Sequence, residues 1–183
     1  MSTGAVDPGC TRCRLAATRT SIVPGSGPAS SKIMFIGEAP GRDEDLAGRP
    51  FVGRAGTVLT DALNESGVRR EDVYITNMVK CRPPGNRKPS QDEIDACRPY
   101  IEAEFEDVGP EVACILGLTA VNGLIGPGPK MSDIVGTDQT VVVNGKRYPA
   151  VVDYHPAACL YQRENLTMFK GVIRRCLERV GMA

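Results

Sequence analysis

The chain has one histidine, no excess of charge and no long hydrophobic run, and each scarcity narrows what it can do. With a single imidazole, any chemistry that needs histidine runs through position 155. The 22 Lys and Arg are matched by 22 Asp and Glu, so net charge gives no reason to expect a polyanionic partner, and only local clustering of cations would. No stretch approaches the roughly 18 apolar residues of a membrane helix, and residues 1–8 lack the basic-then-apolar order of a signal peptide. We expect a soluble, intracellular protein with no membrane partner. No repeat or low-complexity tract interrupts the 183 residues, which are expected to form one domain around a sizeable core. Such a chain does not need disulfides. Its seven cysteines, an odd number in a reducing compartment, point instead to a metal.

The stretch around which the rest is organised is residues 32–56, where an apolar run gives way to a long polar turn crowded with Gly and Pro. Residues 32–36 have the pattern of a strand buried on both faces in a parallel sheet. Ligands of open α/β sheets sit beyond the carboxyl ends of strands, which places residues 38–51 where a site is expected. Alone, a glycine-rich loop is equally well a plain strand-to-helix turn. Further along, apolar spacings of three and four give a helix over 55–66, and residues 73–76 and 112–116 read as second and third strands. A helix opens with Ser90 as N-cap and Glu93 three residues on, a capping box. Asn144-Gly145 marks a hairpin between 140–143 and 147–152, whose second arm is expected to be the final core strand. An amphipathic helix over 165–179 closes the chain. Three loops, 37–51, 76–88 and 153–161, therefore leave one side of one sheet.

The cysteines have a pattern of their own. Cys10 and Cys13 are separated by two residues, so both sulfurs can face one ion or cluster. Cys81 and Cys97 lie 16 residues apart, a spacing that favours a cluster over the two close pairs of a four-cysteine zinc site without excluding zinc. Cys114, Cys159 and Cys176 read as small buried hydrophobes.

Gly-Glu-Ala-Pro-Gly at 37–41, Gly-Arg-Pro-Phe-Val-Gly at 48–53, Thr-Asn-Met-Val-Lys-Cys-Arg-Pro-Pro at 76–84 with Asn86, and His155-Pro156 together resemble the iron-sulfur uracil-DNA glycosylases, the fourth family of that superfamily. The resemblance runs from Cys10 to the last helix. It implies an α/β/α fold, which with the four strands read above becomes a three-layer sandwich around a central, mostly parallel four-stranded sheet. It also implies an enzyme that removes uracil from DNA, single- or double-stranded, in base excision repair. Such a protein is expected to be a cytoplasmic, nucleoid-associated monomer with replication or repair proteins among its partners. Cys10, Cys13, Cys81 and Cys97 match the family's ligands to a [4Fe-4S] cluster. That cluster would tie the N-terminal pair to residues 81–97 and hold Lys80, Arg82, Arg87 and Lys88 against phosphates.

A base cannot be reached inside a duplex, so the nucleotide must be flipped into a pocket and its Watson-Crick edge read there. The resemblance gives that reading to Asn77, whose amide donates to uracil O4 and accepts from N3–H, whereas cytosine presents the reverse pattern. Phe51 stacks on the ring, with Ala39 and Pro40 alongside. Neutral His155 donates to uracil O2 as charge develops. Glu38 stands where superfamily relatives place an Asp or Asn that positions water, and whether it positions water, acts as base or only balances charge stays open. Glu44 and Asn86 are taken as supports of the loops, although residues 43–45 read equally as a solvated acidic turn. Leu160 and Tyr161 are candidates to fill the gap left by the flipped nucleotide, or else to pack beneath the last helix. A cluster-containing redox or DNA-binding module is the alternative, but it needs neither Asn77 nor His155. A related group that traps uracil-DNA covalently uses a histidine on an inserted loop after the position of Arg82, and here there is neither insertion nor histidine.

Overall fold

The apolar run at the head of the central stretch forms β1 (Ile33–Gly37), with every residue buried, in the computed structural model, which describes residues 6–183. The first five positions of the 1–8 segment read above lie outside the described residues. After β1 come α1 (Arg42–Ala47), α2 (Arg54–Glu65), β2 (Tyr74–Asn77), α3 (Gln91–Val108), β3 (Val112–Leu116), α4 (Leu118–Leu124), α5 (Met131–Ile134), β4 (Asp138–Val143), β5 (Lys146–Asp153) and α6 (Arg163–Arg179), with short 3-10 turns between some of them.

The sheet runs β2-β1-β3-β5-β4. Its first four strands are parallel, with Phe35 opposite Ile75 on one side and Cys114 on the other. The sheet thus has five strands where four were expected. The first hairpin arm is longer than its apolar core suggests and pairs antiparallel with residues 146–151 of β5, from Val143↔Lys146 to Asp138↔Val151. Read from sequence as a hairpin arm but not counted in the core sheet, it has alternating burial: Val141 and Val143 are buried while Val142 is exposed, the signature of an edge strand with one wet face. The outer side of β2 is closed differently. Ser26 and Ile75 exchange both main-chain hydrogen bonds at 2.8 Å in an isolated antiparallel bridge.

Alternation along the strands builds two cores. Met34 and Ile36 face one side, against Ile94, Ile101 and Phe105 of α3 and Val121 of α4. Ile33 and Phe35 face the other, against Leu59 and Leu63 of α2 and Phe169, Ile173 and Leu177 of α6. The result is the expected three-layer α/β/α sandwich. Truncating a core anchor such as Phe169 to Ala costs about 3–5 kcal/mol. The start of α3 is fixed as its sequence suggests, with the Glu93 carboxylate accepting the Ser90 N–H at 2.9 Å. No helix among the described residues is long and apolar enough to cross a membrane.

Candidate functional site

Because β1, β2 and β5 are parallel, their carboxyl ends open on one rim, and the three loops meet there around a cavity of about 240 Å³. The first loop supplies Ala39, Pro40, Gly41, Glu44 and Phe51, the second Asn77, Pro83, Asn86 and Arg87, the third His155 and Ala157. Glu38 is not part of the wall. Its Oε2 accepts a 2.5 Å hydrogen bond from the hydroxyl of Thr119, in the first turn of α4.

Asn77 ends β2 and is 3 % exposed, and its side-chain Oδ1 is buried with no hydrogen-bond partner among the described residues. An orphaned buried acceptor in a cavity wall is costly unless a ligand brings a donor to it. Gly37 makes room for this arrangement: a Cβ there would lie 2.4 Å from the Phe51 ring and 2.5 Å from Asn77 Oδ1. The Phe51 backbone is left-handed, φ +52°, a strained conformation for an aromatic residue. It is held by Arg70, whose guanidinium donates to the Pro50 and Phe51 carbonyls and to Thr60 Oγ1. Gly56 is equally forced, since a Cβ there would sit 2.0 Å from the Phe51 carbonyl oxygen.

The His155 and Phe51 rings stack with centroids 5.8 Å apart and planes at 29°. His155 Nδ1 accepts the Ala157 N–H at 3.1 Å, so in the neutral ring the proton is on Nε2. Burial pushes its pKa down to about 4, with only a weak opposing pull from Glu44. His155 is therefore a neutral donor at physiological pH. Gly117, at φ +93°, lets β3 pass beneath it, since a Cβ there would approach the His155 Cβ to 2.9 Å.

Residues 43–45 do not form a solvated turn. They open α1, where Glu44 accepts the N–H groups of Gly41, Val52 and Gly53 at 3.0–3.1 Å, and buried Asp45 accepts those of Thr20 and Ser21. Only Asp43 is exposed. Asn86, in a left-handed turn, accepts from Arg82 Nε at 2.6 Å.

Cys10, Cys13, Cys81 and Cys97 line one small enclosed cavity with Arg19, Tyr100 and the base of Lys80. Among the described residues no group of three or more His, Cys, Asp or Glu could hold a single metal ion. Four thiols lining one space are a donor set that suits a thiolate-bound iron-sulfur cluster and suits zinc as well. Arg19 Nη1 donates to Cys81 Sγ at 3.5 Å, and the Lys80 N–H to Cys97 Sγ at 3.5 Å. Burial holds the free Cys81 thiol up at about 11. Cys114, Cys159 and Cys176 are buried, as small hydrophobes are.

The Uracil DNA glycosylase superfamily model matches residues 24–177 of this chain. A type-4 uracil-DNA glycosylase of Archaeoglobus fulgidus is 45 % identical over 94 % of this chain and 88 % of its own length. Those of Thermotoga maritima, 45 % identical over 85 % of this chain and 80 % of the relative, and Pyrobaculum aerophilum, 40 % identical over 92 % of each, agree. The chain belongs to the type-4 uracil-DNA glycosylases.

Within this type-4 glycosylase the basic stretch needs a correction. Lys80 cannot reach a phosphate, because its side chain is 0 % exposed and its Nζ pairs with Glu104 at 2.7 Å. Read from sequence as one of four surface cations, it points inward because its place just after Asn77 faces the α3 side of the sheet. Arg87 is exposed but engaged: it donates to both Glu93 oxygens at 2.7 and 2.9 Å, and with Arg14 holds that carboxyl well below the usual range. Of the rest of the stretch, Arg82 is half-buried with its Nε on Asn86, and Lys88 is exposed. Leu160 is half-buried, whereas Tyr161 is 80 % exposed and carries the Arg54 guanidinium 5.8 Å from its ring centroid. Thr119, Arg70 and Gly117 were missed. The only sequence signal was a glycine at the end of β3.

Proposed function

We propose that this chain flips deoxyuridine out of DNA and hydrolyses its N-glycosidic bond, releasing uracil and leaving an abasic site, as a monofunctional glycosylase acting as a monomer. Its membership of the family makes it a uracil-DNA glycosylase, a hydrolase of N-glycosyl bonds in DNA repair. The observation that supports the site assignment best is the unpartnered Oδ1 of Asn77, buried in the wall of a base-sized cavity beside Phe51 and His155.

In this reading uracil N3–H satisfies Asn77 Oδ1, and the Asn77 amide donates to O4. Cytosine would set an unprotonated N3 against Oδ1 and its amine against the amide, and so is rejected. Phe51 stacks on the base, worth about 1–3 kcal/mol. As the glycosidic bond breaks, negative charge grows on the uracil, and His155 Nε2–H donates to O2 without losing its own proton. Glu38, outside the cavity wall and tied by Thr119 through Oε2, is assigned to the attacking water on its place in the first loop. Cys10, Cys13, Cys81 and Cys97 would hold a [4Fe-4S] cluster, which when bound cross-links the N-terminal segment to the head of α3. Arg82 and Lys88 contact phosphates, and exposed Tyr161 is assigned to the gap left by the flipped nucleotide.

The test is incubation with uracil-containing single-stranded, U:G and U:A DNA, followed by alkaline cleavage of abasic sites. Strand breaks at uracil are expected in all three, and no breaks in any would refute the reading. Asn77→Asp places a carboxylate against O4, so uracil excision should fall sharply. Wild-type rates from that variant would remove Asn77 from base reading.

A further inference from the structure

Lys80 is unused by this mechanism, yet it sits between the base pocket and the cysteine cavity. Its ammonium has three donors, and each has an acceptor: Thr76 Oγ1 at 2.6 Å, Glu104 Oε2 at 2.7 Å and the main-chain carbonyl of Asn77 at 2.7 Å. Glu104 is itself fixed, its Oε1 accepting the Gly25 N–H at 3.0 Å and its Oε2 the Thr76 hydroxyl at 2.8 Å. The main chain of Lys80 faces the other way. Its N–H points at Cys97 Sγ, its carbonyl accepts the Val23 N–H at 2.8 Å, and the next residue is Cys81.

A buried ion pair adds little net stability over a well-packed apolar pair, so its value here is better sought in geometry. The Asn77 side chain supplies the need for such geometry. Its Oδ1 has no hydrogen-bond partner among the described residues, so its aim rests on packing and on the main chain that carries it. The Asn77 carbonyl is the main-chain group that the ammonium grips.

We propose that Lys80 is a positioning residue for uracil recognition: its buried ammonium, braced by Glu104 and Thr76, locks the peptide of Asn77 and links the base reader to the cysteine-bearing segment. The proposal rests on the reading of Asn77 given above. Removing one partner alone would leave a buried charge and threaten folding, so the informative variant is the double substitution Lys80→Met with Glu104→Gln, which removes both charges and keeps an amide to serve Gly25 and Thr76.

The measurement is single-turnover excision from DNA containing either deoxyuridine or N3-methyl-deoxyuridine, whose base cannot donate to Asn77 Oδ1. Iron content and thermal unfolding are followed alongside. Wild type should prefer uracil, and Asn77→Ala should lose that preference. The double variant should retain iron and melt close to wild type while its preference falls about tenfold, the worth of one misdirected hydrogen bond. If both rates fall equally and the preference survives, Lys80 is only structural and the proposal is wrong. If Asn77→Ala also keeps the wild-type preference, the Asn77 reading fails and takes the proposal with it. Should the double variant not fold, Thr76→Val, a near-isosteric change that removes one acceptor of the ammonium, decides by the same ratio, with a smaller fall expected and an unchanged ratio overturning the proposal.

Discussion

Asp153, the last residue of β5, gives a prediction about stability that runs against the usual behaviour of carboxylates. It is fully buried; Oδ1 accepts the Tyr154 N–H at 2.7 Å, and Oδ2 has no hydrogen-bond partner among the described residues. Burial pushes its pKa up to about 9, the Tyr154 N–H opposing and the Cys176 thiol adding to the rise. In the unfolded chain it titrates near 4. Between those values the folded protein holds a proton that the unfolded chain has released, so Asp153 favours folding fully below about pH 4 and loses that contribution as pH rises toward 9. Each pH unit in this window is worth about 1.4 kcal/mol, or about 4 kcal/mol between pH 5 and pH 8. Asp153→Asn keeps the acceptor for Tyr154 and cannot ionise. Since about 1 kcal/mol moves the melting temperature of a chain this size by about 2–4 °C, the melting temperature of the variant relative to wild type should be about 8–16 °C more favourable at pH 8 than at pH 5. Anaerobic melts followed by circular dichroism at both pH values measure this. The contribution of His155, which runs in the opposite sense below about pH 6.5, is common to both proteins and cancels. A difference between variant and wild type that does not change with pH would refute the reasoning.

His155→Ala should slow the single-turnover chemical step by about 10²–10³-fold with DNA affinity little changed, and equal losses in both would make it a uniform binding element. Because its pKa is about 4, the wild-type pH–rate profile should show no limb from His155 between pH 5 and 8. Arg70→Met takes away the guanidinium that holds the Pro50 and Phe51 carbonyls, so inhibition by free uracil should weaken about tenfold; an unchanged inhibition constant would separate Phe51 from Arg70. Arg82→Ala or Lys88→Ala should lower affinity and flatten its salt dependence without altering which base is removed, and a shifted base preference would show that this loop is misplaced. Cys81→Ala or Cys97→Ala should lose iron and melt well below Cys159→Ala, and equal melting temperatures of the two kinds of variant would count against the cluster.

The sequence was most legible where a residue type and a backbone requirement coincide. Asn144-Gly145 specifies its hairpin, Ser90 and Glu93 their helix start, and the apolar runs of β1 and β3 their burial. It was least legible where a residue's role depends on what packs against it. Lys80 reads as a surface cation, and only the arrival of Glu104 from α3, 24 residues on, makes it an interior one. Arg70 and Thr119 are ordinary in sequence, and their partners, Phe51 and Glu38, are 19 and 81 residues away. Four polar residues followed only by Leu46 and Ala47, between two glycines, gave α1 no apolar stripe to betray it, since it is held by side chains of Glu44 and Asp45 bonding back to loops.

The bridge between Ser26 and Ile75 gives the sheet an uneven tempo of opening. Strands β1 and β3 are flanked by hydrogen-bonded neighbours on both sides, so their amides should exchange with solvent only when the whole molecule opens. The β2 strand, which ends in Asn77, has such a neighbour on one side and on the other a single pair of bonds from a segment that precedes the first strand. Deuterium should therefore reach the Ile75 amide, which bonds to the Ser26 carbonyl, well before those of Phe35 or Cys114. The base reader would then belong to a layer that can loosen while the centre of the sheet stays shut.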